Sequence, residues 1–97
     1  METRIGYVGD IALELPYNAV QELSYEDKKV INKWWKNKEV QEQLKKYSIE
    51  ELRYAVEEFN PVQTRINTLK RETLEKRIVY YASCDIVDAE KFEALYS

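Results

Sequence analysis

The chain has no histidine and a single cysteine among its 97 residues, and both shortages restrict its chemistry. Without an imidazole there is no Ser/His/Asp triad and no Cys/His dyad, and the common Cys/His zinc sites cannot be assembled. Cys84 has no second thiol in the chain to pair with, so a buried, inert thiol in a reducing compartment is the expectation. Glycine is equally scarce: Gly6 and Gly9 are the only two, and neither opens a helix in a phosphate-binding pattern. The alternating acidic ligands and central glycine of a calcium-binding EF-hand loop are missing as well. Neither a cofactor nor a metal is therefore expected.

Long apolar runs are also lacking. None approaches the roughly 18 residues of a membrane-spanning helix, and Met1-Glu2-Thr3-Arg4 lacks the basic and then apolar order of a signal peptide. A cytoplasmic protein with no membrane partner is expected. Two prolines and two glycines leave few breakers, which favours long regular elements over disorder. No repeat or linker divides the sequence, so residues 1–97 read as a single domain.

What is plentiful is charge, at 34% of residues, and tyrosine, with eight. The net charge of −3 conceals alternation. Residues 1–27 hold one basic and six acidic side chains, and residues 28–47 hold seven basic and two acidic. Such blocks either complement neighbouring elements or leave a basic face toward an acidic partner or a phosphate backbone. The carboxylate pairs Glu50-Glu51 and Glu57-Glu58 read as the solvated side of an amphipathic helix rather than as acid–base catalysts.

The pattern predicts a mostly α (α+β) fold, with four to five short helices in a small bundle and an N-terminal β-hairpin over 3–15. Ile5, Tyr7, Ile11, Leu13 and Leu15 alternate on either side of Gly9-Asp10, which suits a tight turn, so strands are predicted at 3–8 and 11–15. Two strands are marginal in water, and the hairpin must rest on the helices or recruit a third strand, for which Ile78-Val79-Tyr80-Tyr81 is a candidate. The same four residues could instead finish a helix.

The helical region is predicted over 25–96. Ser24, with Asp27 behind it, resembles an N-cap for a helix at 25–36. Val40, Leu44 and Tyr47 fall on a different face from Val30 and Trp34, which places a break at Asn37, in a left-handed conformation that ends one helix and caps the next over 38–47. Ser48 and Glu51 form a capping box for 49–59, with Leu52, Val56 and Phe59 inward. Asn60-Pro61 is read as the start of a helix to about 77, with Val62, Ile66 and Leu69 inward and a Glu72/Lys76 pair outside. Asp88 is read as the cap of a short last helix that buries Phe92 and Leu95.

With no catalytic kit, the chain is expected to be a non-enzymatic protein-binding module, an adaptor or an inhibitor of a larger complex. That make-up is compatible with a mobile-element inhibitor of a host complex. Tryptophan and tyrosine offer large contact area with few torsions to freeze. Adjacent Trp34 and Trp35 cannot both enter one small core, so Trp35 is expected at a boundary, and Tyr54 is expected in solvent. Lys29, Lys33 and Lys36 make a basic stripe beside them. The expected partner site is Trp34, Trp35, Tyr54, Lys29, Lys33 and Lys36. The alternative is a helix-turn-helix-like DNA-binding regulator reading through Gln63, Arg65, Asn67, Lys70 and Arg71, although the connection lacks the usual glycine and the chain is acidic overall. A third expectation is self-association through the same aromatics.

Overall fold

In the computed structural model, which describes residues 2–23, 27–61 and 68–96, a hairpin and five helices enclose one apolar core. Strand β1 (Thr3–Val8) pairs antiparallel with β2 (Ile11–Pro16) in a register that sets Val8 opposite Ile11 and Gly6 opposite Leu13. The two-residue connection needs a positive φ at its first position, and Gly9 supplies it at +60°.

One face of the hairpin, carrying Val8, Ile11, Leu13 and Leu15, is fully buried. The alternation expected in the first strand is out of phase with this. Gly6 and Val8 point inward, while Ile5 and Tyr7 remain 51% and 57% exposed. The reason is steric. A β-carbon at position 6 would lie 2.2 Å from the backbone oxygen of Ala82, so the missing side chain is what lets a helix lie against the strand.

That helix is α5 (Arg71–Tyr96), 26 residues long, and it runs the length of the molecule. The Ile78–Tyr81 segment belongs to it, which decides between the two readings in favour of helix. Its neighbours Ile78 and Val79 are both buried because α5 is covered on several sides, by the hairpin, by α4 (Ile49–Phe59) and by α2 (Lys28–Trp35). No third strand joins the sheet among the described residues. Its edges are blunted instead by side chains. The Gln43 amide of α3 (Lys38–Leu44) accepts from Glu14 N at 2.7 Å and donates to Glu14 O at 3.0 Å, and Asp85 Oδ2 accepts from Tyr7 N at 3.1 Å.

Local signals account for several helix starts. Ser48 Oγ accepts from Glu51 N, and Glu51 Oε1 accepts from Ser48 N, both at 3.2 Å, completing the capping box. Asn37 caps α3 by accepting from the backbone N–H groups of Glu39 and Val40, but in an extended conformation (φ −60°, ψ 132°) rather than a left-handed one. The preceding helix can end there because Lys36 closes α2 with right-handed angles. Asp27, three residues beyond the expected Ser24, is the N-cap of α2, its carboxylate accepting from Lys29 N at 2.8 Å. Ser24 itself lies outside the described residues.

Other expectations need correction. A helix the sequence reading did not assign, α1 (Tyr17–Leu23), follows the hairpin directly and buries Ala19, Val20 and Leu23. Phe59 is 37% exposed at the end of α4, where its ring stacks on Tyr81 at 4.4 Å. Asn60 closes α4, with its N–H donating to Val56 O, and the helix expected from Pro61 falls largely on residues 62–67, outside the described set. Leu69 packs against the core from a non-helical position. The bundle's helices are not all short, since Asp88 lies inside α5 rather than at the start of a new helix. Cys84 is half-buried.

Candidate functional site

Trp34 and Trp35, both expected in the partner site, each donate to a carboxylate on another helix. Trp34 is half-buried and donates its indole N–H to Glu22 Oε2 of α1 at 2.6 Å. Lys33 reaches the same carboxylate at 3.3 Å and lies 5.3 Å over the Trp34 ring. Glu22 is thereby held below its ordinary value of 4.5, first by the Trp34 hydrogen bond and then by Lys33.

A group whose folded-state value is depressed contributes stability above about pH 4.5, and that contribution disappears as pH falls through the folded value. Glu22→Gln should therefore flatten the acid side of the stability profile. Thermal unfolding followed by tryptophan fluorescence between about pH 3 and pH 7 checks this. Identical acid sensitivity in the variant and the parent would remove Glu22 from the account.

Trp35, also half-buried, turns the other way. Its indole N–H donates to Glu75 Oε1 at 3.2 Å, and Lys76 sits 4.8 Å over its ring. Glu75 is only 5% exposed, and its second oxygen meets Arg71 Nε at 3.3 Å. The Arg71 guanidinium also donates to the carbonyls of Leu44 at 3.1 Å and Tyr47 at 2.7 Å, satisfying the C-terminal end of α3. Lys76 pairs with Glu72 at 3.2 Å, as their spacing predicts.

Of the expected site, Lys29 and Lys36 are exposed, Lys33 is drawn into the Glu22 cluster, and Tyr54 stands 63% exposed on α4. The two tryptophans face Glu22 and Glu75 on different helices, and Lys33 lies against the first of them, over the Trp34 ring. For the DNA-reading alternative, Gln63, Arg65 and Asn67 lie outside the described residues. Lys70 is exposed, and Arg71 is committed to internal carbonyls and a buried carboxylate.

Two features the sequence reading missed are better formed. At about 100° per residue, Leu74, Ile78, Tyr81, Asp85, Phe92 and Tyr96 follow one stripe of α5. Its first half is buried, whereas Phe92, Leu95 and Tyr96 are 62%, 79% and 77% exposed, with the Phe92 and Tyr96 rings 4.6 Å apart. The helix thus carries its apolar stripe past the body of the protein. Asp88 lies on the same stripe one turn before Phe92, and Glu93 lies to one side of it. The signal was present in the sequence as unbroken three-and-four spacing across Asp88, but an aspartate there reads equally well as a cap.

The second feature is a groove of about 550 Å³ between α2 and α5. Ile31, Tyr80 and Tyr81 line it together with the basic residues Lys28, Lys76 and Arg77, of which Arg77 donates to the Tyr81 hydroxyl at 3.4 Å. Its residues come from segments some 45 positions apart, so no local motif could announce it.

Among the described residues no cluster of three metal-ligating side chains forms, and no helix is long and apolar enough to cross a membrane. No family model, no curated protein and no solved structure matches the chain.

Proposed function

We propose that the protein is a non-enzymatic protein-binding module, an adaptor or inhibitor that docks through the projecting end of α5. The supporting observation is the uncovered continuation of the α5 stripe through Phe92, Leu95 and Tyr96. A contiguous group of exposed aromatic and aliphatic side chains marks an interaction site more often than scattered ones do, and aromatic anchors carry a large share of interface energy. Side chains at i, i+3 and i+4 on one helical face are the pattern by which a helix enters a partner's groove. Tyr54, with Ile5 and Tyr7 on the outer face of the hairpin, supplies further exposed aromatic and apolar surface. Trp34 and Trp35 act in this reading as braces of the scaffold.

A photo-activated cross-linking side chain at position 92 or 95, in cells that make the protein, should give discrete adducts. The same probe at position 29 should not. Phe92→Ala with Leu95→Ala should abolish partner recovery while leaving folding stability within about 0.5 kcal/mol, because neither side chain fills the core. Unchanged recovery by a folded double variant would defeat the reading.

A further inference from the structure

The α5 end and the α2/α5 groove are opposite in charge and alike in apolar character. The end presents Phe92, Leu95 and Tyr96, with Asp88 one turn before them on the same face and Glu93 beside them, and with Glu90 and Lys91 nearby on the helix. The groove presents Ile31, Tyr80 and Tyr81 beneath Lys28, Lys76 and Arg77, with Glu72 bound to Lys76. Building on the proposed role of the helix end, we infer that this groove receives the α5 end of a second copy of the chain, in a head-to-tail contact.

An intramolecular version is ruled out by geometry. Tyr81 and Phe92 lie on one continuous helix, roughly 17 Å apart at 1.5 Å per residue, and a helix cannot fold back on itself. Symmetric alternatives are disfavoured by charge. Pairing two helix ends sets Asp88 and Glu93 against their own kind, and pairing two grooves does the same with lysines. Only the end-to-groove arrangement puts opposite charges across the contact. It is heterologous, so it propagates into chains or rings rather than stopping at a dimer.

Three anchoring side chains make a small interface, so association should be weak and sensitive to salt. Sedimentation equilibrium of the full chain, from roughly 10 µM to 1 mM at low salt, should show a mass rising beyond the dimer without a plateau. High salt should weaken the association by about tenfold. Two variants separate the halves of the contact. Asp88→Lys with Glu93→Lys reverses the end, and Lys28→Glu with Asn32→Glu reverses the groove wall on exposed or half-exposed positions of α2. Each should be monomeric alone, with unchanged circular dichroism and melting temperature. Mixed in equal amounts, they should recover the concentration-dependent association as alternating chains, because the reversed end of one fits the reversed groove of the other and the two unreversed surfaces fit each other.

A wild-type chain that stays monomeric across the range overturns the inference. So does association that survives the groove reversal, or folded variants that fail to combine. If the wild type is monomeric while Phe92→Ala with Leu95→Ala still loses its cross-linked partner, the protein-binding reading stands and the self-docking contact alone falls.

Discussion

Gly6→Ala should destabilise the protein by about 3 kcal/mol or more, at the upper end of what overpacking a core produces. The added methyl would sit 2.2 Å from Ala82 O and 2.8 Å from Ala82 C. Both are backbone atoms of a buried helix, so relief requires α5 to move as a body away from β1. That displacement would open the layer formed by Val8, Leu13, Ile78 and Ala82, each fully buried. For a domain of this size, 3 kcal/mol corresponds to a fall in melting temperature of roughly 15 °C, measurable by calorimetry or circular dichroism. Gly9 is an informative control. Its β-carbon would meet the mobile carboxylate end of Glu58 at 2.6 Å, and the penalty for its φ of +60° is about 1–2 kcal/mol, so Gly9→Ala should cost less than Gly6→Ala. If the two variants melt together, the close approach of α5 does not govern this part of the fold.

The second large effect is expected at Arg71. Its side chain ties Glu75 on its own helix to the carbonyls of Leu44 and Tyr47. Arg71→Met keeps the aliphatic stem but leaves a nearly buried carboxylate with only the Trp35 indole as donor, and two carbonyls without theirs. Removing one partner of a buried pair typically costs about 3–5 kcal/mol. Because the Arg71 side chain is itself 37% exposed, solvent takes up part of the loss, and about 2–3 kcal/mol is expected. Denaturant unfolding of Arg71→Met, Glu75→Gln and the double variant measures the coupling. The double variant should be clearly less destabilised than the sum of the singles, since the penalty lies in the orphaned charge. Strict additivity would show that the pair does not act as a unit. This commitment also explains why Arg71, attractive on paper as a nucleic-acid contact, has little of its guanidinium to offer a ligand.

Much of the architecture could be read from the chain because its signals are local. The capping box at Ser48 and Glu51 needs residues three apart, the Asn37 cap needs three, and the hairpin turn needs one glycine between alternating runs. Each was legible, as were the Glu72/Lys76 pair and the exposure of Tyr54. What was not legible has a common cause. Ile5 and Tyr7 continue the alternation of Ile11, Leu13 and Leu15, yet which face of β1 is buried is decided by where α5 needs room, at Gly6. Nothing nearby in the sequence shows that Glu22, 12 residues before Trp34, or Glu75, 40 residues after Trp35, is the acceptor of an indole N–H.

By itself, the sequence determined that the chain folds as helices with one N-terminal hairpin, where several of those elements start, and that these 97 residues hold no imidazole and no pair of thiols for an intrachain disulfide. Those properties follow from composition and from interactions across three or four residues, which any window of the chain contains. Only the tertiary structure decided that α5 runs unbroken through Asp88, that Trp34, Trp35 and Arg71 are tied to groups on other elements, and that an apolar helix end and a groove with basic residues remain uncovered. Burial of a given face depends on what the rest of the chain places against it, and α5 is longer than the body available to cover it.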